Sequence, residues 1–199
     1  MGEAETYKSK MQAVQKAHRE KQQELRDPDK GLVLVNTGNG KGKSSSAFGV
    51  AIRALGWKQR VGVVQFVKGT WITGERQFFE RLGQIDWFMM GEGFTWDTQD
   101  KERDRLAAEA ALEKAASMLA SGDYDLVILD EVNISLRYGQ ISSEAVIAAL
   151  DARDARTGVI LTGRDAPVEI CDYADLVSVI EEVKHPYKAG IKAQRGVDF

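Results

Sequence analysis

A glycine- and lysine-rich run, Thr37-Gly38-Asn39-Gly40-Lys41-Gly42-Lys43-Ser44-Ser45, follows the apolar stretch Leu32-Val33-Leu34-Val35. Glycines at 38, 40 and 42 let the backbone turn sharply and bring N–H groups close to an anion. Lys43 is spaced to reach phosphate oxygens, and the Ser44 hydroxyl to ligate Mg2+. A helix predicted from Ser44 to Gly56 would aim its positive end at the same phosphates. The common pattern G-x-x-x-x-G-K-[ST] puts a glycine where this chain has Thr37, so with Gly38 the loop is one residue short. The bland alternative is a flexible surface turn, but such turns rarely join a buried strand to a helix.

A second cluster sits at Tyr124-Asp125-Leu126-Val127-Ile128-Leu129-Asp130-Glu131, an apolar run ending in two carboxylates. Mg2+ takes hard oxygen ligands, and one carboxylate, a loop hydroxyl and phosphate oxygens make a normal set. Ser44, Glu131 and Asp130 are therefore the candidate metal ligands. A polar strand end that caps the next helix is the alternative, and the pairing with Lys43-Ser44 argues against it. Between the two clusters, Met90-Gly91-Glu92-Gly93-Phe94-Thr95-Trp96-Asp97-Thr98 places Phe94 and Trp96 in a glycine-flanked loop. Aromatics there either bind something flat or plug the space under the loop. Ligand crevices lie at the carboxyl ends of strands in open α/β sheets, so this loop belongs near the nucleotide.

The elements that must hold these residues alternate. Strands are predicted at 31–36, 61–67, 85–90, 125–130, 157–162 and 176–181, and helices at 44–56, 75–82, 101–121, 142–152 and 167–172. Leu126-Val127-Ile128-Leu129 and Val159-Ile160-Leu161 are apolar at every position, which marks strands buried on both faces of a parallel sheet. With a phosphate loop after the first strand, this is an α/β fold of the P-loop NTPase-like (RecA-like) kind, a mostly parallel sheet with helices on both faces. Ahead of it, residues 1–30 form a helical arm (helix from Thr6 to Leu25), broken by Asp27-Pro28-Asp29. Residues 31–199 read as a single domain.

Composition narrows the function classes. With 199 residues at 43% apolar content, one domain with a sizeable core is expected. A net charge of −3 gives no support to nucleic-acid binding through a basic face. The lone Cys171 rules out a disulfide within the chain, and His18 and His185 are too few and too far apart for a histidine metal site. No apolar run is long enough to span a bilayer, and the amino terminus is charged, so a cytoplasmic enzyme or switch is expected.

The chain resembles the P-loop corrinoid (cobalamin) adenosyltransferases. The matching segments are Thr37 to Lys43, Val63-Val64-Gln65-Phe66-Val67-Lys68-Gly69, Gly93-Phe94-Thr95-Trp96-Asp97-Thr98 and Leu129-Asp130-Glu131. Leu161-Thr162-Gly163-Arg164, Val183-Lys184-His185-Pro186 and Gly190-Ile191-Lys192-Ala193-Gln194 follow in family order. The resemblance implies transfer of the 5′-deoxyadenosyl group of ATP to the cobalt of a reduced corrinoid, with ATP lying reversed relative to most P-loop proteins. It implies that Gly38, Asn39, Gly40, Lys41, Gly42, Lys43, Ser44 and Ser45 cradle the triphosphate, with Lys41 and Lys43 neutralising charge. Ser44 and Glu131 would hold Mg2+ with Asp130 adjacent. Phe94 and Trp96 would pack on the lower face of the corrin and displace its axial base. The amino-terminal helix would close over the corrinoid. A reduced flavoprotein as electron donor and a homodimer are further family expectations. Arg53, on the first core helix, is a second possible phosphate contact or an exposed helix charge.

A kinase or ATPase attacking the terminal phosphate is the rival enzyme, and a corrinoid carrier that does not alkylate its cargo is the rival of another class. The short loop and the aromatic segment argue against the kinase.

Overall fold

A computed structural model describes residues 3–67, 73–90 and 100–198. Its sheet has six strands: β1 (Val33–Thr37), β2 (Val61–Gln65), β3 (Ile85–Met89), β4 (Leu126–Asp130), β5 (Gly158–Thr162) and β6 (Leu176–Val179). They run in the order β3-β2-β4-β5-β1-β6, and every pairing is parallel. Helices α1 (Glu3–Glu24), α2 (Lys43–Gly56), α3 (Gly74–Leu82), α4 (Lys101–Ala120), α5 (Val132–Arg137), α6 (Ser143–Asp151) and α7 (Val168–Tyr173) accompany it. Pro186–Ala189 forms a short 3-10 turn.

The inner strands β1, β2, β4 and β5 need helices on both faces because their side chains alternate while their sequences do not, whereas the edge strand β6 is exposed at all four residues. In β4, Leu126 and Ile128 pack with Ala47, Phe48, Ala51 and Phe79 of α2 and α3. Val127 and Leu129 pack on the other face with Ala108, Ala111, Ala115 and Leu119 of α4 and with Val146 and Leu150 of α6. That is the period-two signature of a strand inside a three-layer stack. The alanine stripe on α4 lets that helix lie close to the sheet.

Caps fix where the helices start. The Asp100, Thr73 and Ser142 side chains accept the N–H groups of Arg103, Arg76 and Ala145 at the starts of α4, α3 and α6. The predicted strands and helices are all present, most within two residues of the expected limits. The differences are that α1 starts at Glu3 and not at Thr6, that β2 and β6 end two residues early at Gln65 and Val179, and that α5 and the 3-10 turn were not expected. Among the described residues, no helix is long and apolar enough to cross a membrane.

Candidate active site

All six strands point their carboxyl ends the same way, and on four neighbours those ends turn polar together. Gln65 of β2 is in register with Asp130 of β4, and Asn36 of β1 with Thr162 of β5. Leu129 pairs with Leu161, which brings Asp130 alongside Thr162. Strand β5 thus lies between the strand that carries the glycine loop and the strand that carries the carboxylates, and Thr162 joins the two.

The loop is shaped by backbone that only glycine tolerates. Gly38 has φ +95°, and a Cβ there would lie 2.5 Å from the Ile180 carbonyl oxygen. A Cβ on Gly40 would meet the Glu181 carbonyl oxygen at 2.5 Å. The Gly40 N–H donates to Ile180 O at 2.7 Å, so it serves the loop's shape and is not turned to an anion. Gly42, at φ +116°, occupies the N-cap of α2 and supplies no side-chain cap. The first N–H groups of this 14-residue helix are consequently available to an anion.

The loop's polar side chains are disposed differently. Lys43 is buried, with 7% of its surface exposed. Its Nζ donates to Gly40 O at 2.6 Å, and its own carbonyl accepts from Asn36 Nδ2 at 3.2 Å. Burial lowers the Lys43 pKa, Arg164 and Lys41 add to that, and Glu131 opposes it. Ser44 is half-buried at the start of α2, and Asn39 and Ser45 are exposed. Lys41 is exposed and ion-paired with Asp198 at 2.6 Å. Arg53 lies in the last turn of α2, about 15 Å along the axis from Lys43 at 1.5 Å per residue. It does not join the loop.

The carboxylates divide the work. Asp130 is 2% exposed and both of its oxygens are occupied. Oδ2 accepts from Gln65 Nε2 at 2.9 Å, and Oδ1 from Thr162 Oγ1 at 2.8 Å. Glu131 holds a left-handed backbone (φ 60°, ψ 20°) that costs about 1 kcal/mol for a residue with a Cβ. Its N–H donates to Thr162 Oγ1 at 2.9 Å, which helps to hold it there. Glu131 stands at the N-cap of α5, but its side chain caps nothing, so the helix-capping alternative does not account for it. Burial first, and the neighbouring Asp130 second, push its pKa up to about 7, against Lys43 and Arg164.

A carboxyl group raised by burial beside an acid is one that a divalent cation would stabilise. Glu131 and the Ser44 hydroxyl are oxygen donors of the kind that would hold Mg2+, while Asp130, with one hydrogen bond on each oxygen, would support them. Among the described residues no group of three or more His, Cys, Asp or Glu gathers to cage a metal. Phe94 and Trp96, with Lys68 and Gly69, lie outside the described residues.

Beside the loop runs an open cleft of about 680 Å³, lined by Gly38, Asn39, Arg164 and residues 179–182 with Lys188. Another, near Lys58, Arg60 and Asp86, is about 430 Å³. It is at the amino ends of β2 and β3, across the sheet from the loop and carboxylates. Thr162 and Gln65 are the residues that sequence reasoning did not assign. The one signal available was a polar side chain closing each apolar strand.

A parallel sheet with a glycine loop after β1, and with a carboxylate pair ending the strand two places away, defines a P-loop nucleotide-binding domain. Residues 29–199 match the sequence model of the ATP:corrinoid adenosyltransferase family BtuR/CobO/CobP. The chain is 51% identical to a corrinoid adenosyltransferase of Pseudomonas aeruginosa over 181 residues, 90% of this chain and 89% of that one. It is 46% identical to corrinoid adenosyltransferase CobA of Salmonella typhimurium over 171 residues, 86% of this chain and 87% of the relative. With a corrinoid adenosyltransferase of Escherichia coli it shares 42% identity over 195 residues, 98% of each. The chain belongs to the ATP:corrinoid adenosyltransferase family.

Proposed function

We propose that the protein transfers the 5′-deoxyadenosyl group of ATP to the cobalt of a Co(I) corrinoid, either cobalamin or an earlier ring precursor, and releases triphosphate. The observation that carries this reading is family membership over residues 29–199, supported by a glycine loop that leaves the start of α2 without a side-chain cap.

The chemistry asks little of acids and bases. Co(I) supplies an electron pair to C5′, the C5′–O bond breaks, and its pair leaves on the triphosphate, so no proton moves. The protein must hold C5′ in line and stabilise charge on the leaving group. Lys43 and the first N–H groups of α2 serve the triphosphate, with Lys41 at the rim. Mg2+, held by Ser44 and Glu131, would neutralise part of the same charge. Asp130 orients that corner through Thr162 and Gln65.

Phe94 and Trp96 are assigned to the lower face of the corrin, where displacing the axial base lowers the orbital that accepts an electron. That makes Co(II) easier to reduce by a flavoprotein donor. The arm, residues 1–30, closes over the corrinoid. A homodimer and a cytoplasmic location belong to the same reading.

Incubation with ATP, Mg2+ and chemically reduced cobalamin tests it. The expected result is a light-sensitive cobalt–carbon spectrum with one triphosphate per turnover. ADP and phosphate instead would make the protein a kinase or ATPase. The double variant Phe94→Ala/Trp96→Ala should lose far more activity from Co(II) than from preformed Co(I). Equal losses would return these aromatics to a packing role.

A further inference from the structure

The segment that follows β6 comes back to the phosphate loop. One contact there is the pair between Lys41 Nζ and Asp198 Oδ1 at 2.6 Å, made by residues far apart in the chain. The two partners are unequal. The Asp198 side chain is 9% exposed and that of Lys41 is 52% exposed. The carboxylate is also fixed by its own turn. Oδ2 accepts the Gln194 N–H at 2.7 Å, and the Asp198 N–H donates to Gln194 O at 2.8 Å. These contacts, the Gln194 N–H first and Lys41 next, hold the Asp198 carboxyl below its usual range. A seated anion therefore faces a more exposed cation on the loop read as the triphosphate cradle.

A second tie joins the loop to the start of the same stretch, since the Gly40 N–H donates to Ile180 O just after β6. It involves backbone alone, so the charge on Lys41 is what the segment 184–198 and an incoming phosphate have in common. A triphosphate carries several negative charges and Asp198 one. Two anions on one ammonium repel, so the more highly charged takes it.

We propose that Asp198 is a built-in counter-anion of the phosphate loop. It holds Lys41, a bound triphosphate takes Lys41 away from it, and the segment 184–198 loosens when that happens. The proposal rests on the reading of the loop as a triphosphate site. Its consequence for turnover is a moderated grip: by competing for Lys41, Asp198 weakens the hold on ATP and on the departing triphosphate alike. Such uniform binding does not speed the chemical step.

Two measurements on the full chain test it, with sodium tripolyphosphate as the probe. In titration calorimetry at low ionic strength, Asp198→Asn should bind tripolyphosphate about 2- to 5-fold more tightly than wild type, the scale of a partly exposed ion pair. The gap should shrink in high salt. In amide hydrogen exchange, residues 186–198 of the wild type should exchange faster when tripolyphosphate is added. In Asp198→Asn and Lys41→Ala the same amides should exchange fast from the start and not respond. Equal or weaker binding by a normally folded Asp198→Asn would overturn the proposal. So would wild-type exchange that stays constant or slows on binding. If the wild type takes up no tripolyphosphate at all, the phosphate-site reading falls and the counter-anion with it, an outcome distinct from binding that ignores Asp198.

Discussion

Thr162 makes two bonds with one hydroxyl, accepting from the Glu131 N–H and donating to Asp130 Oδ1. One atom thereby sets the hydrogen-bond direction at the buried acid and holds its neighbour in a backbone conformation that a glutamate seldom adopts. Thr162→Val keeps the shape and removes both bonds. It should cost about 1 to 3 kcal/mol in denaturant unfolding, the penalty for leaving a buried acceptor unpaired. Because Glu131 is then free to relax, binding of Mg2+·ATP should weaken several-fold, while binding of metal-free tripolyphosphate stays near normal. Calorimetry on both ligands checks this, and equal losses would make Thr162 a residue of the fold only. Lys43, Ser44, Asp130 and Glu131 could be picked out as candidates from the sequence because each sits in a short local pattern. Thr162 could not be, because its partners are 31 and 32 residues away and depend on the register of β4 against β5. Asp198 was hidden for the same reason.

At the level of elements, the loop between β1 and α2 and the stretch just after β6 are shaped to each other. The clearance at Gly38 and Gly40 is set by the Ile180 and Glu181 carbonyls, backbone atoms that cannot swing aside. Gly42 has a positive φ but nothing within 4 Å of its missing Cβ. Gly38→Ala and Gly40→Ala should therefore unfold the loop region or lower thermal stability by several kcal/mol, whereas Gly42→Ala should lose only about 1 to 2 kcal/mol, the cost of the left-handed backbone. Thermal melts of the three variants rank them. At the other end of the sheet, the Tyr124 hydroxyl ahead of β4 donates to Asp86 Oδ2 on β3 at 2.8 Å. Burial, then this hydrogen bond, push the Tyr124 pKa up to about 12. A raised folded-state value means that the protonated phenol stabilises the fold. That contribution is complete below about pH 10, the ordinary value for tyrosine, and is lost as pH rises towards 12. Tyr124→Phe should remove this part of the alkaline destabilisation and cost about 1 kcal/mol at neutral pH. Strands β4 and β5 were readable from their all-apolar runs, and the others from shorter apolar stretches between helices. Helix α5 was not, because its six residues are too few to show a period and Glu131 provides no side-chain cap to announce it.

Across the whole molecule, the sheet and its helical layers account for most of the buried apolar side chains among the described residues, and residues 5–24 of α1 contribute none of them. Every residue from 5 to 24 is exposed, including Tyr7 at 66%, Met11 at 38% and Val14 at 57%. A helix that buries no apolar face adds little to the stability of the domain it precedes. If the arm serves the corrinoid, its apolar residues find their contact there and not in the core. Deleting residues 1–24 should then leave the melting temperature within about 2 °C of the full chain, less than 1 kcal/mol of change for a domain of this size. The same truncation should raise the apparent KM for the corrinoid several-fold and leave that for ATP unchanged, because the loop, the carboxylates and β5 are intact. A fall in melting temperature of more than about 5 °C would show that α1 packs on the core after all. An equal rise in both KM values would mean that the arm shapes the nucleotide site and not the corrinoid's.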